Sequence, residues 1–193
     1  MAEWGRPQIW YLSYPGGEPR RITNDLNTYG SRNLGLTADS TAIVTVQEDV
    51  LRQIWVTVPN DDATRARLVA NGKFDGFDGV AWTPEGKIVY VTQSGESTDI
   101  WIMNGDGSEN KQLTADAFME YSPTMTVDGR YIVFVSNRAG VRHLWRINAD
   151  GSDAKQLTDG TTDDVDLDCS PDGQWVAFST FSSDIGTIWK IEN

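Results

Sequence analysis

The stretch His143-Leu144-Trp145-Arg146-Ile147-Asn148-Ala149-Asp150-Gly151-Ser152-Asp153-Ala154-Lys155-Gln156-Leu157-Thr158 reads as two β-strands joined by a tight turn. His143–Ile147 carries the branched and aromatic residues that suit a pleated, half-buried surface. Asn148-Ala149-Asp150-Gly151 has hairpin-turn chemistry, and Lys155–Thr158 returns as an outer strand. Upstream, Tyr131–Ser136 (YIVFVS) is a buried second strand and Ser122–Thr126 a first. Val127-Asp128-Gly129-Arg130 is the turn between them, with glycine free to take positive φ. Residues 120–158 thus hold four strands and no helical periodicity.

The same pattern runs through the whole chain. An aliphatic residue precedes tryptophan at Trp10, Trp55, Trp101, Trp145 and Trp189, at steps of 45, 46, 44 and 44 residues. Ile22-Thr23, Leu68-Val69, Leu113-Thr114 and Leu157-Thr158 keep the same step. So do Thr37-Ala38-Asp39-Ser40, Thr83-Pro84-Glu85-Gly86, Thr126-Val127-Asp128-Gly129 and Ser170-Pro171-Asp172-Gly173. A period in the forties built from strands is the signature of a β-propeller, where each repeat supplies one blade. The expected fold is all-β: a propeller of four-stranded antiparallel blades, about four to the chain. The phase places third and fourth strands of a split blade at 8–23 and blades at 31–69, 78–114 and 120–158. The first three strands of a closing blade follow at 164–191.

The count comes to about 17 strands, four blades and one surplus third strand. Propellers usually close by pairing strands from their two ends, which removes exposed sheet edges. Three arrangements fit: a four-bladed ring within one chain, a homodimer joined by strand exchange into an eight-bladed ring, or a piece of a longer protein. The homo-oligomer is the expectation, because four blades demand a steep turn that bulky tryptophans resist. The five repeated tryptophans are read as blade packing, since identical placement in every repeat is what packing requires.

Ser170-Pro171-Asp172-Gly173-Gln174-Trp175-Val176-Ala177-Phe178-Ser179 and Leu144–Thr158 resemble the TolB-type, WD-repeat-like propeller repeat. The resemblance spans nearly the whole chain and weakens in the first repeat, where Thr-Ala-Asp-Ser stands in the turn. It implies a scaffold of the kind found in the translocation protein TolB, in prolyl-oligopeptidase relatives and in sensor regions of receptor-like kinases. Such relatives often work in the periplasm or outside the cell. The motif specifies blade architecture and leaves the job open.

Composition narrows the partners. The 193 residues carry a net charge of −12 with 39% hydrophobic content. Such a chain repels nucleic-acid phosphates and suits a basic protein, a cationic ligand or a metal ion. No apolar run approaches the roughly 18 residues of a membrane helix. The start Met1-Ala2-Glu3-Trp4-Gly5-Arg6-Pro7 lacks the basic and apolar regions of a signal peptide, so the chain as written is expected in the cytoplasm. Cys169 is the single cysteine and excludes an intramolecular disulfide.

Long loops on one face are where a rigid scaffold normally binds. Arg138, Arg142 and His143 are expected there, with Glu96 and Asp99 in the preceding blade and Glu48 and Asp49 before that. Along the first strands, alternation sends Asp164, Asp166 and Asp168 to one face, toward the central channel. Three carboxylates at period two repel unless a cation offsets them. Ca²⁺ is the one cofactor considered, against the simpler reading of a solvated channel mouth. One histidine and one cysteine make neither a histidine metal cluster nor a triad, and Gly-x-Ser-x-Gly does not occur. The expected function is a non-enzymatic scaffold that binds a protein or small-molecule ligand and self-associates. The alternatives are a propeller-type hydrolase or lyase using channel carboxylates, and a sensor-domain fragment of a larger receptor-like protein.

Overall fold

Branched and aromatic residues at period two favour strands throughout, and strands are what form. The computed structural model describes residues 8–13, 15–23, 28–39, 41–48, 50–57, 66–182 and 185–192. Asp49 of the expected loop face and Ser40 of the first turn motif lie outside the described residues. Among those described there are seventeen strands and no helix, so no helix is long and apolar enough to cross a membrane.

The chain divides into two compact units, Met1–Val50 and Leu51–Asn193. In the first, β1 (Trp10–Tyr11) pairs antiparallel with β2 (Arg20–Arg21), and β3 (Thr28–Leu36) with β4 (Ile43–Glu48). Ile9 is the one buried hydrophobic residue described in this unit, while Trp10, Leu12, Leu34, Leu36 and Val44 are exposed.

In the second unit β5 (Ile54–Val56) pairs with β6 (Arg67–Ala70). β7 (Val80–Trp82), β8 (Lys87–Ser94), β9 (Ser97–Asn104) and β10 (Lys111–Gln112) form a four-stranded antiparallel sheet in chain order. β11 (Glu120–Met125), β12 (Tyr131–Ser136), β13 (His143–Asn148) and β14 (Lys155–Gln156) form another. β15 (Asp163–Cys169), β16 (Trp175–Ser182) and β17 (Ile185–Glu192) form a three-stranded sheet.

Apolar runs on the second strands bury both of their faces, and alternation assigns each face to a different neighbour. Ile88 and Tyr90 of β8 pack with Ile54, Ala70 and Met103. Val89 and Val91 of the same strand turn the other way, onto Phe134, Ile132 and Met125. On β12, Val133 and Val135 face Leu144, Val176 and Phe178. The core is therefore a series of apolar layers between successive sheets.

The turn motif closes alike in three of the repeats. Gly86, Gly129 and Gly173 each donate a backbone hydrogen bond to the carbonyl of Thr83, Thr126 or Ser170, three residues earlier. Asp128 accepts from Thr126 Oγ1 and from the Arg130 amide, and these bonds hold its carboxyl down at about 2.

The tryptophans do not share one environment. Trp101 and Trp145 are half-buried, packed against two of these layers and paired across strands with Gln112 and Gln156. Trp10, Trp55 and Trp189 each keep more than half of their surface exposed. Trp189 stands on β17, which has no fourth strand beside it among the described residues, and its Nε1 donates to Thr180.

Candidate functional site

A repeated irregularity on the first strands builds the site. Gly79, Ser122 and Asp166 stand four residues before the turn residues Thr83, Thr126 and Ser170, and all three have positive φ (139°, 48° and 52°). The ladder shifts register there, between Tyr121 and Thr124 on β11 and between Val165 and Asp168 on β15. Such bulges re-aim a side chain, and positive φ at Ser or Asp persists only where surrounding contacts hold it. One such contact crosses between sheets: the Ser122 amide donates to the Asp78 carbonyl at 2.7 Å.

The bulged strands line an open-sided cavity of about 110 Å³, room for about four waters by volume. Asp78, Tyr121, Ser122, Arg142 and Asp166 supply its polar wall, and Val135 and Val165 its apolar wall. Arg142 Nη2 donates to Asp163 Oδ2 at 2.8 Å, and its amide donates to Asp163 Oδ1 at 2.9 Å. Although burial acts upward on Asp163, the Arg142 bonds hold its carboxyl below the usual range. Burial raises the Asp78 carboxyl; Arg142 opposes this and the Asp166 charge adds to it. Asp78 and Asp166 thus line a cavity whose one guanidinium bonds directly to a third carboxylate, Asp163. A larger open groove of about 570 Å³ is walled by Leu51, Ile54, Trp55, Phe77 and Val80. Arg52, Gln53 and Asp75 are its polar members, and the Arg52 guanidinium lies over the Phe77 ring at 4.3 Å.

The residues singled out in the sequence separate into two groups. Arg142 and Asp166, expected on different surfaces, meet in the small cavity. Glu96 is exposed and Asp168 faces solvent, its Oδ1 accepting from the Cys169 amide. Arg138, His143, Asp99 and Asp164 do not face a ligand surface; they are drawn into the joints between sheets. At the first joint Thr98 Oγ1 donates to the Glu120 carbonyl and accepts from its amide, both at 2.7 Å. Thr114 accepts from the Ile100 amide and donates to the Glu120 carboxyl, which also pairs with Arg138. At the second, Thr158 accepts from the Leu144 amide and donates to Asp164, with His143 Nδ1 at 3.1 Å from the same carboxyl oxygen.

Asp164 is thus buried at a joint, the bulge at Asp166 breaks the expected alternation, and Asp168 is solvated. The structure does not gather the three as ligands. Among the described residues no set of three His, Cys, Asp or Glu side chains converges to hold a metal ion.

Asp78, Tyr121 and the threonine clasps escaped the sequence reading, although the clasps carry a signal. An acidic residue follows the repeated threonine by six positions, at Thr114–Glu120 and Thr158–Asp164. Where Val69 replaces the threonine, Asp75 stands at that step and its Oδ2 accepts from the Gly72 amide instead.

These sheets, joints and repeated turns define a β-propeller, and the chain belongs to the TolB β-propeller family, whose model matches residues 53–192. An uncharacterized protein of Agrobacterium fabrum is 32% identical over 135 residues, covering 68% of this chain and 44% of that protein. The chain spans less than half the length of the curated relatives it matches. In structure it is similar to TolB from Acinetobacter baumannii (TM-score 0.65, 16% identity, 96% of this chain and 46% of that one). It is also similar to an oligogalacturonate lyase from Vibrio parahaemolyticus (TM-score 0.57, 13% identity, 97% and 57%). At such identities the likeness establishes the propeller fold alone.

Proposed function

We propose that the chain is a non-enzymatic propeller scaffold that binds a cationic group, an ammonium or guanidinium borne by a peptide or small molecule. The site is the cavity of Asp78, Tyr121, Ser122, Arg142 and Asp166. The carrying observation is that Asp78 and Asp166 face this cavity while its one arginine is hydrogen-bonded to Asp163. A cation entering there relieves the repulsion between the two carboxylates, and the net charge of −12 draws it in at long range. Burial pushes the Cys169 thiol up to about 11, and His143 is enclosed with Asp164, so neither serves as a nucleophile or base at the cavity.

Isothermal titration with n-butylammonium and methylguanidinium tests the site. Saturable heats that vanish in the doubly substituted D78N/D166N protein are expected; equal heats in both proteins contradict the assignment. A lyase or hydrolase acting through the same carboxylates is the second reading, favoured by the raised Asp78 carboxyl, which suits a general acid. Turnover of an acidic oligosaccharide or a peptide that is lost in D78N would favour it over the scaffold.

The scaffold is proposed to self-associate along β17, in keeping with about four blades per chain and eight in a two-chain ring. Ile188 there is 80% exposed and Trp189 54%, on a strand edge of the kind that templates further pairing. Light scattering should return twice the 21.4 kDa of one chain. A single 21.4 kDa species would remove self-association from the account.

A further inference from the structure

Four ionisable groups meet at the joint between the β7–β10 and β11–β14 sheets, and all but Asp116 are largely shielded from water. Glu120 comes from β11, Asp99 from β9, Asp116 from the β10–β11 connection and Arg138 from the β12–β13 connection. Glu120 is fully buried and Asp99 nearly so; the Arg138 side chain is 12% exposed and that of Asp116 33%. Glu120 and Asp116 pair with the one guanidinium, and Asp99 acts electrostatically on Glu120. Arg138 Nη2 contacts Glu120 and, at 3.0 Å, Asp116, while its Nε donates to Ser136 Oγ. Thr114 donates to the second Glu120 oxygen. Gln112 Nε2 donates to Asp99 Oδ2 at 3.1 Å, which leaves Asp99 Oδ1 buried with no donor.

Ionising every acid here leaves two uncompensated negative charges in a joint where only Asp116 reaches solvent appreciably, and one carboxylate oxygen without a hydrogen bond. Either deficit favours taking up a proton. Burial pushes Glu120 up to about 7 despite Thr114 and Arg138, with Asp116 and Asp99 adding to the rise. Burial, then the Asp116 charge, raises Asp99 as well, against the Asp116 backbone and Gln112, which act downward. Because Asp99 and Glu120 interact, the proton belongs to that pair rather than to one residue. The next joint has the same plan but sets His143 where Asp99 stands, so the carboxyl there faces an imidazole instead of another acid.

We propose that this joint is proton-controlled: one proton shared between Asp99 and Glu120 closes it, and loss of that proton loosens it. Tyr121 and Ser122 follow Glu120 directly along β11 into the cavity wall, so loosening reaches the proposed binding site. Only that last consequence rests on the binding function; the joint stands apart from it. For the sign, the folded chain holds this proton more tightly than the unfolded one. Its stabilisation is complete below the ordinary carboxyl value of 4.5 and disappears as pH rises through about 7.

Melting temperatures measured from pH 5 to 8.5 on the wild type, D99N and E120Q test the joint. The wild type is expected to melt about 5 °C lower at pH 8 than at pH 5.5. D99N removes one like charge and supplies an amide donor, so it should lose most of that difference and match or exceed the wild type at pH 8. E120Q should also flatten the profile, and if it fails to fold, D99N alone decides. A wild-type profile that is level or rising, or a slope kept in full by D99N, overturns the proposal. Hydrogen exchange at Tyr121 and Ser122, corrected for intrinsic rate, should quicken at pH 8 in the wild type and not in D99N. Unchanged exchange would overturn the link to the cavity whatever calorimetry says of ligands.

Discussion

Replacing Phe134 with alanine is expected to lower the unfolding free energy by about 4 kcal/mol, enough to threaten the fold. The ring is fully buried in the layer between the β7–β10 and β11–β14 sheets, against Val89, Val91, Ile100, Ile132 and Ile147. The Arg138 guanidinium lies 5.4 Å from its centroid, so truncation also strips one wall from the ionisable joint. The loss combines the transfer energy of the ring with the cavity left in walls that cannot fully collapse. Urea unfolding followed by tryptophan fluorescence measures it. A change below about 1 kcal/mol would mean that the layers between sheets are not the main support of the molecule.

Gly79→Ala is expected to cost about 3 kcal/mol, large for one methyl group. At φ +139° an L side chain is strained wherever it points. A Cβ there would also lie 2.7 Å from Pro123 Cδ and 3.1 Å from the Ser122 backbone Cα. Neither is the movable tip of a flexible side chain, so the sheets must separate where Ser122 bonds to the Asp78 carbonyl. The cavity wall moves with them. Denaturant unfolding should show the destabilisation, and n-butylammonium binding should weaken even in conditions where the variant stays folded. Unaltered stability would mean that the close approach of β7 and β11 is not sustained in solution.

The propeller was legible because periodic landmarks survive where single residues do not. Tyr131–Ser136 was expected as a buried strand and forms over those same residues, since an unbroken apolar run can bury both faces only between two layers. The turns at Thr83, Thr126 and Ser170 were legible from Asp or Glu followed by Gly. The site was harder to read for two physical reasons. Strict alternation along the first strands is the simplest reading of their sequence, and the positive φ at Ser122 and Asp166 breaks it at the residues that face the cavity. The charged partners of Arg138, His143 and Asp164 come from elements 18 to 22 residues away, so polar side chains that look solvent-bound are consumed in joints. The six-residue step from threonine to acid encodes those joints. The unequal exposure of Trp101 and Trp189 depends on which strand lies alongside and is not encoded in the Ile-Trp pair.

The proposed function is tested most directly by amide chemical-shift mapping of the ¹⁵N-labelled chain titrated with methylguanidinium at pH 6. Saturable shifts concentrated at Asp78, Tyr121, Ser122, Arg142 and Asp166, and abolished in D78N/D166N, are the predicted result. Shifts that never saturate, or that centre on another surface and persist in the double variant, would contradict a cation-binding cavity at this joint.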